Sequence, residues 1–135
     1  MKYITDAHAL LWHLYQPRRL GNEAQQIFSN VDAGNGCIYV PAVVIAEVLM
    51  VVEKGRLSGA TLAHLIPHLR IIVAECVNYD LIPLLPETVI ASHKYTNIPD
   101  IFDRLIVTEA ILRDLPIITR DQLIQQSGIV STIWD

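Results

Sequence analysis

The stretch IPDIFDRLIVTEAILRDLPIITRD, residues 98–121, sets a helix-forming segment directly before a strand-forming one. It places acids where the helix begins and where the strand ends. Pro99 and Asp100 open the helix, Pro116 follows its end, and IIT (117–119) reads as a strand running into Arg120 and Asp121. Asp100 is accounted for as a helix cap or first-turn acid. Asp103 needs another reason. At about 100° per residue it shares a face with Ile106, Val107 and Ala110, off the stripe of Arg104 and Thr108 that is expected to be solvated.

Outward from this unit the alternation repeats. KYIT (2–5) reads as a short strand that runs into Asp6, and ALLWHLY (9–15) as a helix stopped by Pro17. NEAQQIFSNV (22–31) is expected to be a helix capped by Asn22, with GNG (34–36) as the turn after it. CIYV (37–40) is a strand, Pro41 suits the start of a helix over 42–54, and Gly55 ends that helix. A helix over 58–77, capped by Ser58, is expected to kink or break at Pro67. YDLIPLL (79–85) then reads as a strand, 86–95 and 122–127 as helices, and STIW (131–134) as the last strand. Strands alternating with helices imply an α/β fold with a central parallel sheet, and residues 1–135 read as a single domain.

A hydrophobic fraction of 52% and a charged fraction of 18% argue against disorder and leave apolar surface for a partner. The formal charge of −4 shows none of the basic footprint of a nucleic-acid binder. Cys37 and Cys76 lack a CxxC spacing and read as free thiols of a reducing cytoplasm. The N-terminal MKYITDAHALLWHLY lacks a signal-peptide pattern. The run VPAVVIAEVLMVV is shorter than the ~20 residues a membrane span needs and has Glu47 at its middle. A soluble, cytoplasmic protein is expected.

In parallel α/β folds ligands bind outside the carboxyl ends of the strands. Asp6 and Asp121 follow strands, Glu47 lies in the second turn of a helix leaving CIYV, and Asp100 and Asp103 begin a helix that starts at the same edge. Each has a plainer reading: Asp6, Asp100 and Asp121 as caps, Glu47 as half of a buried salt bridge. Their convergence is what asks for chemistry. Anions held together need raised pKa values or a cation, and an all-oxygen set without a thiolate points to Mg²⁺ or Mn²⁺ rather than zinc. His64 and His68 have the i,i+4 spacing of a metal pair, but Pro67 lies between them and no HExxH glutamate accompanies them, so they read as ordinary histidines. Magnesium on carboxylates binds phosphates and activates water, which suits phosphodiester hydrolysis.

YITDAHALLWHL (3–14), VVIAEVLMVVEKGRL (43–57), IPDIFDRLIVTEAI (98–111) and IITRDQLI (117–124) resemble, in that order, the motifs of PIN-domain ribonucleases, above all VapC-type toxins of bacterial toxin–antitoxin pairs. The resemblance spans nearly the whole chain and includes a final TIW (132–134); over about 58–95 it is one of pattern only. It implies a three-layer α/β/α PIN-like fold, often dimeric, with Mg²⁺- or Mn²⁺-dependent endoribonuclease activity and an antitoxin partner. The family's acids fall on Asp6, Glu47, Asp103 and Asp121, with Asp100 as a frequent addition. Ala7 stands where the family often has a small hydroxyl residue, a change expected to loosen Asp6 without removing a ligand. Thr119 matches the family's hydroxyl before the last acid.

Asp6, Glu47, Asp103 and Asp121 are thus the candidate catalytic acids, and the same four with Asp100 the candidate metal ligands. Arg104, Thr119 and Arg120 are candidate contacts to an RNA substrate; the two arginines read equally well as charge partners of the acids. The pairs Arg18–Arg19 and Lys54–Arg56 could supply a local basic track for RNA, but read chiefly as solvated surface. Two other classes stand beside the nuclease. One is a catalytically silent PIN-like interaction module. The other, a phospho-acceptor signalling domain, is disfavoured because Asp6 stands alone, Pro41 follows CIYV, and no lysine follows a strand. A homodimer is expected, through the leading helices or the apolar face of the helix over 42–54.

Overall fold

Ile4, Ile38, Val40, Ile117 and Ile118 are β-branched and buried, as strands covered on both faces require. In the computed structural model, which describes residues 1–75 and 77–135, they lie on three strands of a five-stranded parallel sheet. The five are β1 (Lys2–Thr5), β2 (Cys37–Pro41), β3 (Tyr79–Ile82), β4 (Ile117–Ile118) and β5 (Thr132–Ile133), in the order β3-β2-β1-β4-β5. Seven α-helices flank the sheet among the described residues: α1 (Ala7–Tyr15), α2 (Asn22–Asp32), α3 (Ala42–Glu53), α4 (Leu62–Glu75), α5 (Pro86–Ala91), α6 (Ile101–Arg113) and α7 (Gln122–Ser127). The architecture is the expected α/β/α class with its parallel sheet.

β1 is the centre. Its Ile4 pairs in register with Tyr39 of β2 on one side and Ile117 of β4 on the other. The chain winds from β1 through β2 to β3 in one direction, then returns to add β4 and β5 beyond β1. The reversal falls between β1 and β4, where two strands send their following loops apart and leave a crevice.

Local departures from expectation have local causes. Gly21, not Asn22, precedes α2 as its cap and makes no side-chain bond, while Asn22 is the first helical residue. The GNG turn is as expected, with Gly34 and Gly36 at φ of 94° and 114°. α4 starts at Leu62 rather than after Ser58, because the Thr61 hydroxyl accepts the His64 N–H at 3.3 Å and takes the capping role. It runs through Pro67 unbroken. Pro67 and Ala63 lie on its exposed side, so water serves the carbonyl that proline leaves without a donor. The expected solvated stripe of α6 does not exist: Leu105 to Ala110 are all buried, since α6 packs against both α3 and α5. Thr108 turns its hydroxyl inward to the Arg104 carbonyl at 2.7 Å.

On two of the elements expected to offer a dimer surface, α1 and α3, much of the apolar face is used within the chain. Ala9, Leu10 and Leu11 of α1 and Val43, Val44, Val48, Val51 and Val52 of α3 are consumed by the core, and α3 packs on α1, α4 and α6. Large apolar side chains left in solvent include Ile66 and Ile71 of α4, Val89 and Ile90 of α5, Ile101 and Leu112 of α6, and Leu123 of α7. Cys37 is a free thiol, and Cys76 lies outside the described residues. Among the described residues no helix is long and apolar enough to cross a membrane.

The C-terminal strand is anchored by a close backbone approach. The Trp134 carbonyl accepts the Ala24 N–H at 3.0 Å in the first turn of α2, and a Cβ on Gly21 would stand 2.2 Å from that same oxygen. Gly21 has an ordinary φ of −63°, so its requirement is one of space alone. We expect Gly21→Ala to cost about 1–3 kcal/mol, as overpacking does where the neighbour is backbone. A shift in the urea midpoint at constant m-value checks it, and a parental midpoint would show that the tail yields freely.

Candidate functional site

The crevice between β1 and β4 is a cleft of about 720 Å³, and Asp6, Glu47, Asp100, Asp103 and Asp121 all line it. Every acid singled out in the sequence thus reaches one place. Three of the five are also helix caps. Asp6 Oδ1 accepts the Ala9 N–H at 2.8 Å, Asp100 Oδ1 the Asp103 N–H at 3.1 Å, and Asp121 Oδ1 the Ile124 N–H at 3.0 Å. The plain reading of these residues and the functional one therefore hold together: α1, α6 and α7 begin at the cleft, and each supplies a carboxylate in doing so.

Thr119 organises the floor. It is wholly buried; its hydroxyl donates to Asp6 Oδ2 at 2.5 Å and accepts the Asp121 N–H at 3.0 Å. It touches the acids rather than the open cleft, so it positions them and is not the substrate contact expected of it. Asp6 has both oxygens engaged even though Ala7, fully buried, carries no hydroxyl. Asp6 is thus held by Thr119, just after β4, and by the Ala9 N–H.

Glu47 and Asp103 have no capping role, and burial beside the other acids raises the pKa of both. The Glu47 carboxyl is pushed up to about 7 by partial burial and then by Asp6, Asp100 and Asp121. Asp103 is likewise pushed up to about 7, by burial and then by Asp100, Asp121, Glu47 and Asp6. Burial raises Asp6 too, against the lowering pull of Thr119 and the Ala9 N–H. Glu47 Oε1 is buried with no hydrogen-bond partner. It is not in a salt bridge; the buried acid that is paired is Glu109, to Arg113 at 3.4 Å on α6.

The expected arginine contacts separate. Arg120 lines the cleft, whereas Arg104 turns away and its Nε donates to the Ile98 carbonyl at 2.9 Å. Arg19 and Arg56, read from sequence as ordinary surface, line the cleft, and so do Trp12 and His8. Trp12 looked like one more apolar residue of α1. Its one distinguishing signal was position, two turns after Asp6 on a helix that begins at the site. His64 shares its Nδ1 with the Tyr15 hydroxyl at 3.2 Å, and its ring meets that of His68 edge-on at 6.4 Å.

The acidic end fits a hard divalent cation. Its donors are all carboxylate oxygens, no thiolate lines the cleft, and the orphaned Glu47 Oε1 is an acceptor in need of positive charge. Among the described residues, however, no three His, Cys, Asp or Glu side chains are already gathered closely enough to hold an ion. Mutual repulsion and the three caps account for that spacing, so coordination requires rotation of side chains, which Glu47 and Asp103 are free to make.

The raised pKa values have a sign that can be tested. A carboxyl whose pKa is higher folded than unfolded destabilises the fold when ionised. The penalty is absent below the unfolded value, 4.5 for Glu47 and 3.8 for Asp103, and is in full force above about 7. The shift alone corresponds to about 3–4 kcal/mol per residue, which partial exposure reduces to about 1–2 kcal/mol. Glu47→Gln and Asp103→Asn should therefore match the parent in Tm near about pH 4 and exceed it near about pH 8, without added metal. Equal Tm values at the upper pH would refute the repulsion. Thr119→Val, which leaves Asp6 Oδ2 buried without its donor, should cost about 1–3 kcal/mol, while Thr119→Ser stays near the parent in thermal unfolding.

A family model described as PIN domain matches residues 3–127. Curated proteins offer no match. Among solved structures, VapBC2 from Rickettsia felis bound to a DNA fragment from its promoter superposes with a TM-score of 0.72 at 15% identity, covering 100% of both chains. A toxin–antitoxin complex from Klebsiella pneumoniae gives 0.62 at 19% identity over 96% of each chain. FitAcB from Neisseria gonorrhoeae gives 0.65 at 14% identity, over 98% of this chain and 96% of that one. At such identities the likeness to these structures is one of fold. The family match is broader in meaning, because it embraces β1 to α7 and every carboxylate of the cleft. This chain belongs to the PIN-domain family.

Proposed function

We propose that this PIN-domain protein is a metal-dependent endoribonuclease, a hydrolase of RNA phosphodiester bonds, and the toxin of a toxin–antitoxin pair. One observation carries the reading: five carboxylates from four separate segments line one cleft at the switch point of a parallel sheet, with Glu47 Oε1 buried and unpartnered among them. A structural cluster gains nothing from such an arrangement; a cation site does.

Asp6, Glu47, Asp103 and Asp121 are the residues we assign to Mg²⁺ or Mn²⁺, with Asp100 as a further or outer ligand. A bound divalent ion supplies Lewis acidity toward a phosphate and activates water for hydrolysis. The chain contributes orientation. Asp6 is fixed by Thr119 and the Ala9 N–H, so one acid stays rigid while Glu47 and Asp103 adjust. Arg120 at the same cleft supplies positive charge to the strand being cut. The net charge of −4 is no obstacle when the reacting phosphate meets metal and guanidinium rather than the protein's average surface.

The solved structures it resembles include toxin–antitoxin complexes, which supports a cognate antitoxin as partner. Exposed apolar residues on α4 and α5 leave room for that partner and for a homodimer. Within this reading the protein acts in the cytoplasm as a single domain over residues 1–135. A catalytically silent module is disfavoured because all five acids line one cleft and Asp6 keeps both oxygens engaged despite Ala7.

Purified protein should cleave total cellular RNA with Mg²⁺ or Mn²⁺ and stop with chelator. Asp6→Ala and Asp103→Asn should each lower the rate at least about 100-fold, the upper end of what losing even a residue that only hydrogen-bonds a ligand costs. Cleavage in chelator would overturn the metal dependence, and parental cleavage by Asp103→Asn would remove that residue from the site. Absence of both cleavage and calorimetric metal binding would leave the silent module.

A further inference from the structure

The cleft that the acids line is also lined by Trp12, His8, Arg19 and Arg120. The Trp12 indole is 5% exposed and wedged by neighbours: His8 at 5.7 Å between ring centroids and Trp134 edge-on at 5.8 Å. Two guanidinium groups lie over the same ring, Arg19 at 4.3 Å and Arg120 at 5.6 Å from its centroid. Arg19 comes from the turn after α1 and Arg120 from the loop after β4, a hundred residues apart in sequence. Cation–π attraction of about 0.5–2 kcal/mol per pair restricts where these long side chains point while leaving in-plane N–H groups free.

What the arginines do not bind is as informative. Five carboxylates line the same cleft, yet among the described residues the ion pairs are His13–Asp32 and Glu109–Arg113, and neither Arg19 nor Arg120 joins a carboxylate. Arg19 Nη1 donates only to Gln16 Oε1, at a long 3.3 Å. Counter-charges for the acids would fold over them. These are instead held on an aromatic ring with their hydrogen-bonding capacity uncommitted, which is the arrangement a guanidinium needs to take an oxyanion edge-on.

We propose that Arg19 and Arg120, positioned by Trp12, form a phosphate subsite that grips the RNA backbone beside the scissile position. The strand then runs from the carboxylates across the Trp12 wall. Its substrate rests on the nuclease reading above. Phosphate rather than a base is the ligand because Trp12 is already covered and offers no free face for stacking, whereas guanidinium edges match two phosphate oxygens. Trp12 is a positioning residue here. The subsite also explains how an acidic chain places positive charge where a polyanion must lie.

Binding of a fluorescent, mixed-sequence single-stranded RNA oligonucleotide in Ca²⁺, followed as a function of salt, tests this directly, with cleavage in Mg²⁺ and Mn²⁺ followed on the same preparations. Arg19→Gln and Arg120→Gln should each weaken binding on the order of tenfold, the cost of a hydrogen bond to a charged group. Each should also flatten the plot of log Kd against log salt by about 0.7, one phosphate contact on a single strand. In cleavage the loss should appear in KM more than in kcat. Arg18→Gln removes the same charge from an exposed neighbour that does not line the cleft, and should leave the slope unchanged. Trp12→Phe should keep most of the affinity and Trp12→Leu lose it, at salt slopes that follow the arginines. If the parent binds RNA and Arg19→Gln and Arg120→Gln match Arg18→Gln, the subsite is refuted while the nuclease stands, and a partner protein's carboxylate becomes the anion for this pair. Arginine-dependent binding without cleavage in either metal would sink the nuclease and leave the subsite. A parent that binds no RNA would overturn both.

Discussion

Thr119 holds together two ends of the molecule that the chain keeps far apart. Its buried hydroxyl donates to Asp6, 113 residues earlier, and accepts the N–H of Asp121. β1 and β4 are already paired through Ile4–Ile117 and Thr5–Ile118, so the hydroxyl sits at the point where adjacent strands release their loops. The bond does two things at once. It satisfies a buried carboxylate oxygen and, with the Asp121 N–H, sets the direction of the loop carrying Arg120 and Asp121. Loss of any one partner leaves a buried polar atom unpaired, which is why so small a side chain governs the geometry of the site.

The remaining acids divide by whether the backbone neutralises them. Asp6, Asp100 and Asp121 accept N–H groups at helix starts. Glu47 and Asp103 have no such donor, and it is these two whose carboxyls rise to about 7. Helix capping thus supplies three of the five carboxylates, while burial raises Glu47, Asp103 and the capped Asp6 alike. That is the ordinary economy of a functional site: interactions that fold the chain also build the cleft, and the strain falls on groups that a ligand can relieve.

Opposite charge enters the cleft without cancelling the acids. Trp12, packed between Trp134 and His8, holds Arg19 and Arg120 on its ring. The Trp134 carbonyl lies so near Gly21 that no side chain fits there, and the same contact seats the C-terminal strand beside α2. The wall of the cleft therefore depends on residues from both ends of the chain. Glu109 and Arg113 show what a committed ion pair looks like in the same fold, with the acid buried and its partner one helical turn away.

By itself the sequence determined the class of the fold, the helix starts at Asp100 and Asp121, and the identity of the acids, because alternation, capping and burial of carboxylates are written in near neighbours. The first helix, expected from residue 9, begins at Ala7 with Asp6 as its cap. Tertiary structure alone decided the rest. The strand order that sets β1 beside β4, and so brings Asp6 to Thr119, depends on long-range pairing that no local pattern encodes. Thr108 faces the core rather than solvent because α3 and α5 cover α6 on sides that periodicity cannot distinguish. Arg104 and Arg120 both adjoin a site acid in sequence, but one turns to the Ile98 carbonyl and the other to the cleft. Arg19 and Trp12 read as surface and core until the fold set them side by side. Adjacency along a chain specifies which residues a local element contains; which of them share a cleft is a matter of how those elements pack.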